Sequence, residues 1–361
     1  MSRIKKLKNL QEKFSCQKKI GFWILLDLLI KEKTGTKSST DVNTRKSIQL
    51  INLIGYNDIT EYSQSKCDLF ISELHLKYEP STFNDYRTIL IDSFERALND
   101  NVIVKSPFDN LKALKCPVKP IKVYNKQQIS LLVPSNKNMT IEKALITLAL
   151  CTGVRTNELI AITADAYNAD KKILYIDQSL VFGMVKNTKT DGSTRVVELN
   201  EYAINALEYL INLTKDYEET SYNFYIGKKI HEKRKSIFIA INPNTGQRFF
   251  SSDEFRKKFF VPYCFEVGVD YLPPKHLRHT YISQMLTAGA PMTWIIKQVG
   301  HMNYEMIKKH YGRWINEDSR KSQELISDHF DYLFEPNEKR SIYERIKGLL
   351  GLSVKKHTRT T

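Results

Sequence analysis

The sequence lacks both a disulfide framework and a long apolar run. No two of its five cysteines lie close together, so they form neither a disulfide scaffold nor a zinc-finger spacing; they are Cys16, Cys67, Cys116, Cys151 and Cys264. The apolar run Ile20–Ile30 is about half as long as a membrane-spanning helix and contains Asp27. No small-residue cleavage site follows it, which argues against a signal peptide. We therefore expect a cytoplasmic chain with reduced thiols and no membrane segment.

Acidic residues are fewer than basic ones. Lys and Arg number 55 against 40 Asp and Glu, which gives a formal net charge of +15. Such an excess favours a polyanionic partner, either nucleic acid or an anionic membrane. Apolar residues make up 42% and charged residues 26% of the chain, a balance that excludes a largely disordered protein. A length of 361 residues is sufficient for two domains, each with its own core.

The N-terminal third predicts a basic arm followed by a helical domain. Residues 1–19 contain seven Lys and Arg and a single acid, Glu12. From residue 20 to residue 113, apolar residues recur three and four positions apart. The predicted helices are Phe22–Glu32, Val42–Ile54, Ser65–Leu76, Phe83–Asn99 and a short piece near Leu111. Prolines and lysines then replace the periodic pattern, and we assign residues 114–126 as a basic linker between domains.

The remaining sequence predicts a second domain over residues 127–327 and a tail over residues 328–361. Asn125 is a candidate N-cap for a helix through Leu132, a second helix ends at Thr152-Gly153, and a third begins at Arg155. A period of two then predicts strands at Ile173–Asp177, Leu180–Val185 and Arg195–Leu199, with Asp191-Gly192 as a hairpin turn. From Tyr202 the pattern is helical, apart from an insertion over Tyr222–Gln247 that we expect to be irregular.

Three short segments of this second domain combine basic or nucleophilic residues with a structural frame. They are Thr152-Gly153-Val154-Arg155-Thr156-Asn157-Glu158-Leu159, Leu277-Arg278-His279-Thr280, and Val299-Gly300-His301 followed by Tyr311-Gly312-Arg313-Trp314. Arg155 follows a glycine turn, and Glu158 lies one helical turn further on, where it can orient the guanidinium group. An arginine in that position suits phosphate binding.

Together the three segments resemble the conserved boxes of the tyrosine recombinase (phage integrase) family, in the family's order. The final Tyr-Gly-Arg-Trp is especially similar to integrases of temperate phages and related mobile elements. The resemblance implies a mainly α fold with a small antiparallel β-sheet. It implies a helical, SAM-like core-binding domain at residues 20–113 and an α/β catalytic domain at residues 127–327.

The resemblance also implies a role for each matching residue. Arg155 and Arg278 would clamp the scissile phosphate, because planar guanidinium groups match phosphate bidentately. Tyr311 would attack phosphorus and form a covalent 3′-phosphotyrosine, so that neither a metal nor another cofactor is needed. His301 would donate a hydrogen bond to a phosphate oxygen.

The family also uses a lysine on a hairpin as the general acid for the leaving 5′ oxygen, and the resemblance implies this role for Lys189, beside the predicted hairpin turn, with Lys186 as the alternative. One position departs from the family, which usually has histidine three residues before the second arginine. Lys275 stands there, and His276 follows one residue late. We retain Lys275 as a catalytic candidate that binds phosphate, but the departure leaves open which group takes the proton of Tyr311.

Other polar residues near these boxes receive lesser roles. Tyr304 is the alternative nucleophile, which we expect in the turn before the last catalytic helix. His279 and Thr280 are assigned to packing and helix capping rather than to catalysis.

The expected partners are double-stranded DNA attachment sites and three further copies of the chain in a tetramer assembled on DNA. The resemblance implies that the tail at residues 328–361 docks on a neighbouring subunit, and the alternative is that it packs on its own domain. The same resemblance is compatible with two further partners, a DNA-bending host protein and an excisionase. The expected location is the cytoplasm or nucleoid of a bacterial host. Two alternatives stay open: a related type IB topoisomerase or telomere resolvase, and a DNA-binding relative with weak or no catalysis.

Overall fold

The computed structural model describes residues 37–314, except residues 56, 118–119, 136–137, 189–193, 227–229 and 301–302. All of them belong to one compact unit that ends at Trp314. The basic arm, the predicted helix Phe22–Glu32 and the tail at residues 328–361 lie outside this range, so these three predictions remain untested.

The first part of the described chain is helical, as the apolar periodicity predicts. Each observed helix contains its predicted range: α1 is Lys37–Ile54, α2 is Gln64–Lys77 and α3 is Pro80–Asn99. Local start signals explain two of the N-termini. The Ser63 side chain accepts a hydrogen bond from the backbone of α2, and Pro80 occupies the first turn of α3, where its missing N–H leaves no partner unsatisfied.

The predicted short helix near Leu111 is wrong. The chain there makes a turn, in which the Leu111 N–H donates to the Phe108 carbonyl over 3.0 Å. Side chains of α3 satisfy its other backbone groups: Arg87 donates to the Leu111 carbonyl, and the Asn84 amide pairs in both directions with the backbone of Leu114. These bonds take the place of a helical ladder, and no local pattern reveals them.

The second part of the chain alternates helices with short strands. In chain order, its elements before the insertion are α4 Lys126–Leu132, α5 Ile141–Thr152, α6 Thr156–Leu159, β1 Tyr167–Asn168, β2 Ile173–Ile176, β3 Gln178–Val181, β4 Met184–Asn187, β5 Arg195–Glu198 and α7 Glu201–Thr214. After α7 come β6 Thr220–Tyr225, β7 His231–Ser236, α8 Ser252–Glu254, a π-helical stretch Phe255–Phe260, α9 Val261–Glu266, α10 Lys275–Thr287, α11 Met292–Val299 and α12 Tyr304–Tyr311. The expected mainly α fold with small sheets is therefore confirmed.

Two strand predictions need correction. The range Leu180–Val185 is not one strand but spans the turn of the hairpin β3–β4, because Phe182 and Gly183 both adopt positive φ, at 49° and 75°. Positive φ at both central residues is the geometry of a two-residue hairpin turn, and an apolar Phe conceals it in the sequence. The insertion that we expected to be irregular contains the hairpin β6–β7.

The strands form two sheets. One is antiparallel, in the order β1-β2-β5; the other has the order β3-β4-β6-β7, with β4 and β6 parallel and the other neighbours antiparallel. The inserted hairpin thus extends the β3–β4 pair into a mixed sheet. We had predicted a small antiparallel sheet and no parallel pair of strands.

Apolar side chains form two buried clusters. One contains residues between Leu50 and Phe108, and the other contains residues between Tyr124 and Leu277. The clusters are separated in the sequence by residues 109–123, which include most of the predicted linker. No described helix is both long and apolar enough to cross a membrane.

Gly153, which ends α5, must be glycine for two reasons. Its φ is +62°, in the left-handed region, and a Cβ atom there would lie 2.3 Å from Cδ1 of Tyr281 on α10. The close approach lets the chain turn sharply from α5 into Arg155 while α10 packs directly against the turn.

We expect Gly153→Ala to lower the free energy of unfolding by more than Gly268→Ala does. Both glycines have a similar positive φ, but a Cβ at Gly268 would meet nothing within 4 Å. The Gly268 variant should lose about 1–2 kcal/mol from the backbone alone. The Gly153 variant should lose about 1–3 kcal/mol more through overpacking against Tyr281. Urea denaturation of both variants measures the difference, and equal losses would contradict the packing argument.

Candidate active site

Arg155 caps the short helix α6 and is held there by Glu158. The Arg155 N–H donates to Glu158 Oε2 over 2.9 Å, and its Nη1 donates to Oε1 over 2.7 Å. Both bonds close within one turn, as the Arg-x-x-Glu spacing predicts. The Arg155 guanidinium group nevertheless stays partly exposed, at 40% of its side chain, and can meet a ligand.

Glu158 also binds a second arginine that sequence reasoning missed. Arg195, at the start of β5, donates from Nη2 to Glu158 Oε2 over 2.8 Å and from Nε to the Gln298 carbonyl over 2.7 Å. Its side chain is 4% exposed. Arg195 and Val197 share the inward face of β5, and an arginine at an inward strand position is a signal for a buried acidic partner.

Burial raises the pKa of the Glu158 carboxyl, but the hydrogen bond and charge of Arg195, with the charge of Arg155, more than offset this. The net result is a pKa below the ordinary value of Glu. Glu158 is therefore an anion at neutral pH, placed between two cations.

Arg278 on α10 connects the three sequence segments. It donates from Nη1 to the Gly153 carbonyl over 2.8 Å and from Nη2 to the Gly300 carbonyl over 3.2 Å. The Gly300 carbonyl also accepts from Arg155 Nη2 over 3.3 Å. Burial and the charge of Arg155 lower the pKa of Arg278, which still leaves the group charged at neutral pH. The two arginines predicted to clamp phosphate thus meet at one carbonyl oxygen.

Tyr311 is the last residue of α12, and its side chain is fully buried. Its hydroxyl is hydrogen-bonded to Nδ1 of His279, the residue after Arg278 on α10. Burial raises the pKa of Tyr311 to about 12, against a smaller lowering by the charge of Arg278. The phenol is therefore protonated at neutral pH.

The contact with Tyr311 gives His279 a place in the site that our sequence interpretation did not foresee. Burial first, and then the charges of nearby basic groups, lower the pKa of the imidazole to about 4, so that it is neutral at physiological pH. Thr280, by contrast, has the structural role that we predicted: its hydroxyl donates to the His276 carbonyl and accepts from the Tyr124 N–H.

The structure describes only some of the other candidate residues. Lys275 is exposed at the first residue of α10, one turn before Arg278. Tyr304 is more than half exposed and begins α12, so its predicted position in a turn is wrong. Lys189 and His301 lie outside the described residues.

Two alternatives from the sequence can also be placed. Lys186, the alternative to Lys189, is buried at 7% exposure on β4, between β3 and β6. His276 turns its Nδ1 to the Lys122 carbonyl, 2.6 Å away. Among the described residues, no group of three His, Cys, Asp or Glu is arranged to bind a metal.

Two arginines converge near a buried tyrosine in a domain of helices and small sheets. This is the arrangement that the resemblance to tyrosine recombinases predicts. Residues 122–316, more than half of the chain, match the phage integrase family. The chain belongs to the phage integrase family.

Curated relatives agree with this family. The prophage integrase IntR of Escherichia coli (strain K12) is 27% identical over 241 residues, which cover 65% of this chain and 58% of IntR. The transposase of transposon Tn916 from Enterococcus faecalis is 25% identical over 300 residues, covering 80% of this chain and 67% of the transposase. The chain thus spans less than two thirds of the length of IntR.

Solved structures share the fold. The Tn1549 transposon integrase in complex with transposon right end DNA has a TM-score of 0.64 at 18% identity, covering 86% of this chain and 99% of that one. A lambda integrase tetramer bound to a Holliday junction has a TM-score of 0.61 at 11% identity, covering 90% of this chain and 82% of that one.

We expect Glu158→Gln to lower the free energy of unfolding at pH 7 by about 3 kcal/mol or more, because it replaces the buried carboxylate that Arg195 binds with a neutral amide. The matched control is Asp253→Asn, which removes an exposed carboxylate bound to Arg256 and Lys257 and should have little effect. Urea denaturation measures both variants.

The effect should depend on pH with a definite sign. The folded-state pKa of Glu158 is depressed, so its stabilisation is present above the ordinary value of 4.5 and is lost as the pH falls through the folded value. The difference between the original protein and Glu158→Gln should therefore shrink below pH 4.5. A difference that grows on acidification would contradict the assignment.

Proposed function

We propose that this chain is a site-specific DNA recombinase that cleaves and rejoins double-stranded DNA through a covalent bond to Tyr311. The observation that supports it most directly is the convergence of Arg155 and Arg278 on the Gly300 carbonyl. Tyr311 lies near enough for the charge of Arg278 to act on its hydroxyl. Two fixed cations beside a tyrosine suit the attack of a phenol on a phosphodiester.

The arginines bind the scissile phosphate in this proposal. Arg155 is partly exposed, whereas Arg278 is almost wholly buried and bonded to two backbone carbonyls. Their guanidinium groups hold the nonbridging oxygens and stabilise the charge of the transition state.

Arg278→Lys keeps the charge but loses the planar fork, so it should slow cleavage much more than it weakens DNA binding.

Tyr311 supplies the nucleophile. Its oxygen forms a bond to phosphorus while the bond from phosphorus to the 5′ oxygen breaks, leaving a 3′-phosphotyrosine and a 5′ hydroxyl. Because the new ester conserves the energy of the phosphodiester, the reverse step rejoins DNA without ATP, and the reaction uses neither a metal nor another cofactor.

Three further residues take part in the proposed reaction. Lys189 donates the proton that the leaving 5′ oxygen takes up, and His301 donates a hydrogen bond to a phosphate oxygen. Lys275 at the start of α10 contacts the same phosphate. Lys186, which is buried at 7% exposure on β4 between β3 and β6, stays the alternative acid.

The proposed substrates are the attachment sites of a mobile element, which the enzyme integrates or excises in the cytoplasm of a bacterial host. The net charge of +15 suits a protein that encloses a DNA duplex. Prophage and transposon relatives suggest the same class of substrate.

Covalent trapping tests this function. Adducts between the protein and DNA of its host are isolated under denaturing conditions, the linked DNA is sequenced, and a duplex with that sequence is nicked beside the cleavage point. We expect the original protein and the control Tyr304→Phe to form the adduct on this duplex. Tyr311→Phe should form no adduct, because it lacks the phenolic oxygen. It should still bind the duplex normally, because nothing else in the side chain is changed.

Each alternative function has its own outcome in this experiment. Binding by the original protein without any adduct indicates a catalytically inactive relative. Relaxation of supercoiled plasmids regardless of sequence indicates a type IB topoisomerase, and adducts confined to hairpin ends of linear DNA indicate a telomere resolvase.

We further propose that the active form is a homotetramer on DNA, in which residues 328–361 dock on the neighbouring subunit. The lambda integrase tetramer on a Holliday junction is the precedent. Removal of residues 328–361 should preserve binding to a single site but abolish pairing of two sites, measured by light scattering of the DNA complex. An unfolded product, or unchanged pairing, would overturn this role.

A DNA-bending host protein and an excisionase belong to the same proposal, and stimulation of recombination by host extract tests for them.

A further inference from the structure

A tyrosine nucleophile must lose its proton, and the residue at the family's usual histidine position does not explain where that proton goes. Lys275 stands there, and it is exposed at the start of α10. An ammonium group has three donors and no acceptor, so a charged lysine can bind phosphate but cannot accept a proton.

The structure offers another acceptor one residue beyond Arg278. Nδ1 of His279 contacts the Tyr311 hydroxyl, and the two rings lie 5.8 Å apart between centroids. His276, the neighbouring histidine on α10, directs its Nδ1 to the Lys122 carbonyl instead.

The residues on both sides of His279 are anchored by their side chains. Arg278 is fixed to the carbonyls of Gly153 and Gly300, and Thr280 is fixed to the backbone of Tyr124. The His279 ring therefore approaches Tyr311 from a turn of α10 whose neighbouring side chains are fixed to other parts of the domain. This geometry is more than the general packing role that the sequence suggests.

We propose that His279 accepts the proton of Tyr311 during strand cleavage and returns it during rejoining. This inference rests on the proposed recombinase function and adds the missing proton acceptor to it.

The proton and electron balance is complete with the groups already named. In cleavage, the Tyr311 O–H bond breaks, its proton moves to Nδ1 of His279, and the freed oxygen pair forms the bond to phosphorus. The bond to the 5′ oxygen breaks, and that oxygen takes a proton from Lys189. In rejoining, the incoming 5′ hydroxyl returns a proton to Lys189, and the departing Tyr311 oxygen recovers its proton from His279.

The electrostatic surroundings suit this role. The groups that act on His279 are Lys275, His276 and Arg278 on α10 and His310 on α12, and together with burial they lower its pKa to about 4. A neutral ring with its proton on Nε2 leaves the Nδ1 lone pair available. Because the pKa of Tyr311 is raised to about 12, the phenol does not ionise in advance. The proton must move as the bond to phosphorus forms, when a bound phosphate anion also favours an imidazolium ion.

The test compares His279→Asn with the control His276→Asn in single-turnover cleavage of the nicked duplex defined above. An asparagine amide oxygen can accept the phenolic hydrogen bond but cannot take up the proton. We expect His279→Asn to slow cleavage by about 100-fold or more without weakening DNA binding, and His276→Asn to cleave normally. The pH profile of cleavage should lose its acidic limb in His279→Asn alone.

A second substrate, with sulfur in place of the 5′ bridging oxygen, separates the two proton transfers. A thiolate leaves without a proton, so this substrate should restore cleavage by Lys189→Ala but not by His279→Asn. The proposal is overturned if sulfur rescues His279→Asn, or if that variant cleaves oxygen substrates at nearly the original rate. An original protein that forms no adduct at all would instead refute the recombinase function itself.

A measurement on the unsubstituted protein covers the case in which His279→Asn fails to fold. Nitrogen-15 resonances of the histidine rings, assigned with the His276→Asn spectrum, report which ring nitrogen bears the proton. We expect Nδ1 of His279 to lack a proton at neutral pH and its resonance to shift in Tyr311→Phe. A protonated Nδ1 at neutral pH would overturn the proposal.

Discussion

The structure of the site depends on holding two like charges together. Arg155 and Arg278 both donate to the Gly300 carbonyl, although their positive charges repel each other. The buried carboxylate of Glu158 offsets part of this repulsion, and the Gly153 carbonyl accepts a further bond from Arg278. Without these acceptors the guanidinium groups would separate, and the arrangement on which the proposed phosphate clamp depends would be lost.

The same constraint explains why a second buried arginine is present. Glu158 would be poorly stabilised in the interior by the partly exposed Arg155 alone, and Arg195 supplies a buried partner. Arg195 also bonds the Gln298 carbonyl, at the end of α11 and close in sequence to Gly300. Glu158 and Arg195 thereby connect α6 and β5 to the segment whose Gly300 carbonyl accepts from both Arg155 and Arg278.

Local sequence signals were sufficient where the chain satisfies its own polar groups. The Asn125 cap forms a complete capping box, α5 ends at a left-handed Gly153 as predicted, and α2 and α3 contain their predicted ranges. The predictions were wrong where an apolar residue conceals a turn, or where distant contacts decide the conformation. Phe182 turns a supposed strand into a hairpin, and the backbone of Leu111 bonds to a side chain of α3.

The sequence by itself was sufficient to predict the fold class and to identify Arg155, Arg278 and Tyr311 as candidates, because three short segments in order resemble the boxes of a known family. The tertiary structure decided that Arg195 shares Glu158 and that His279 reaches the Tyr311 hydroxyl. These pairs are separated by 37 and 32 residues. Which side chains meet across such a distance depends on how helices and strands pack, and no local periodicity encodes it.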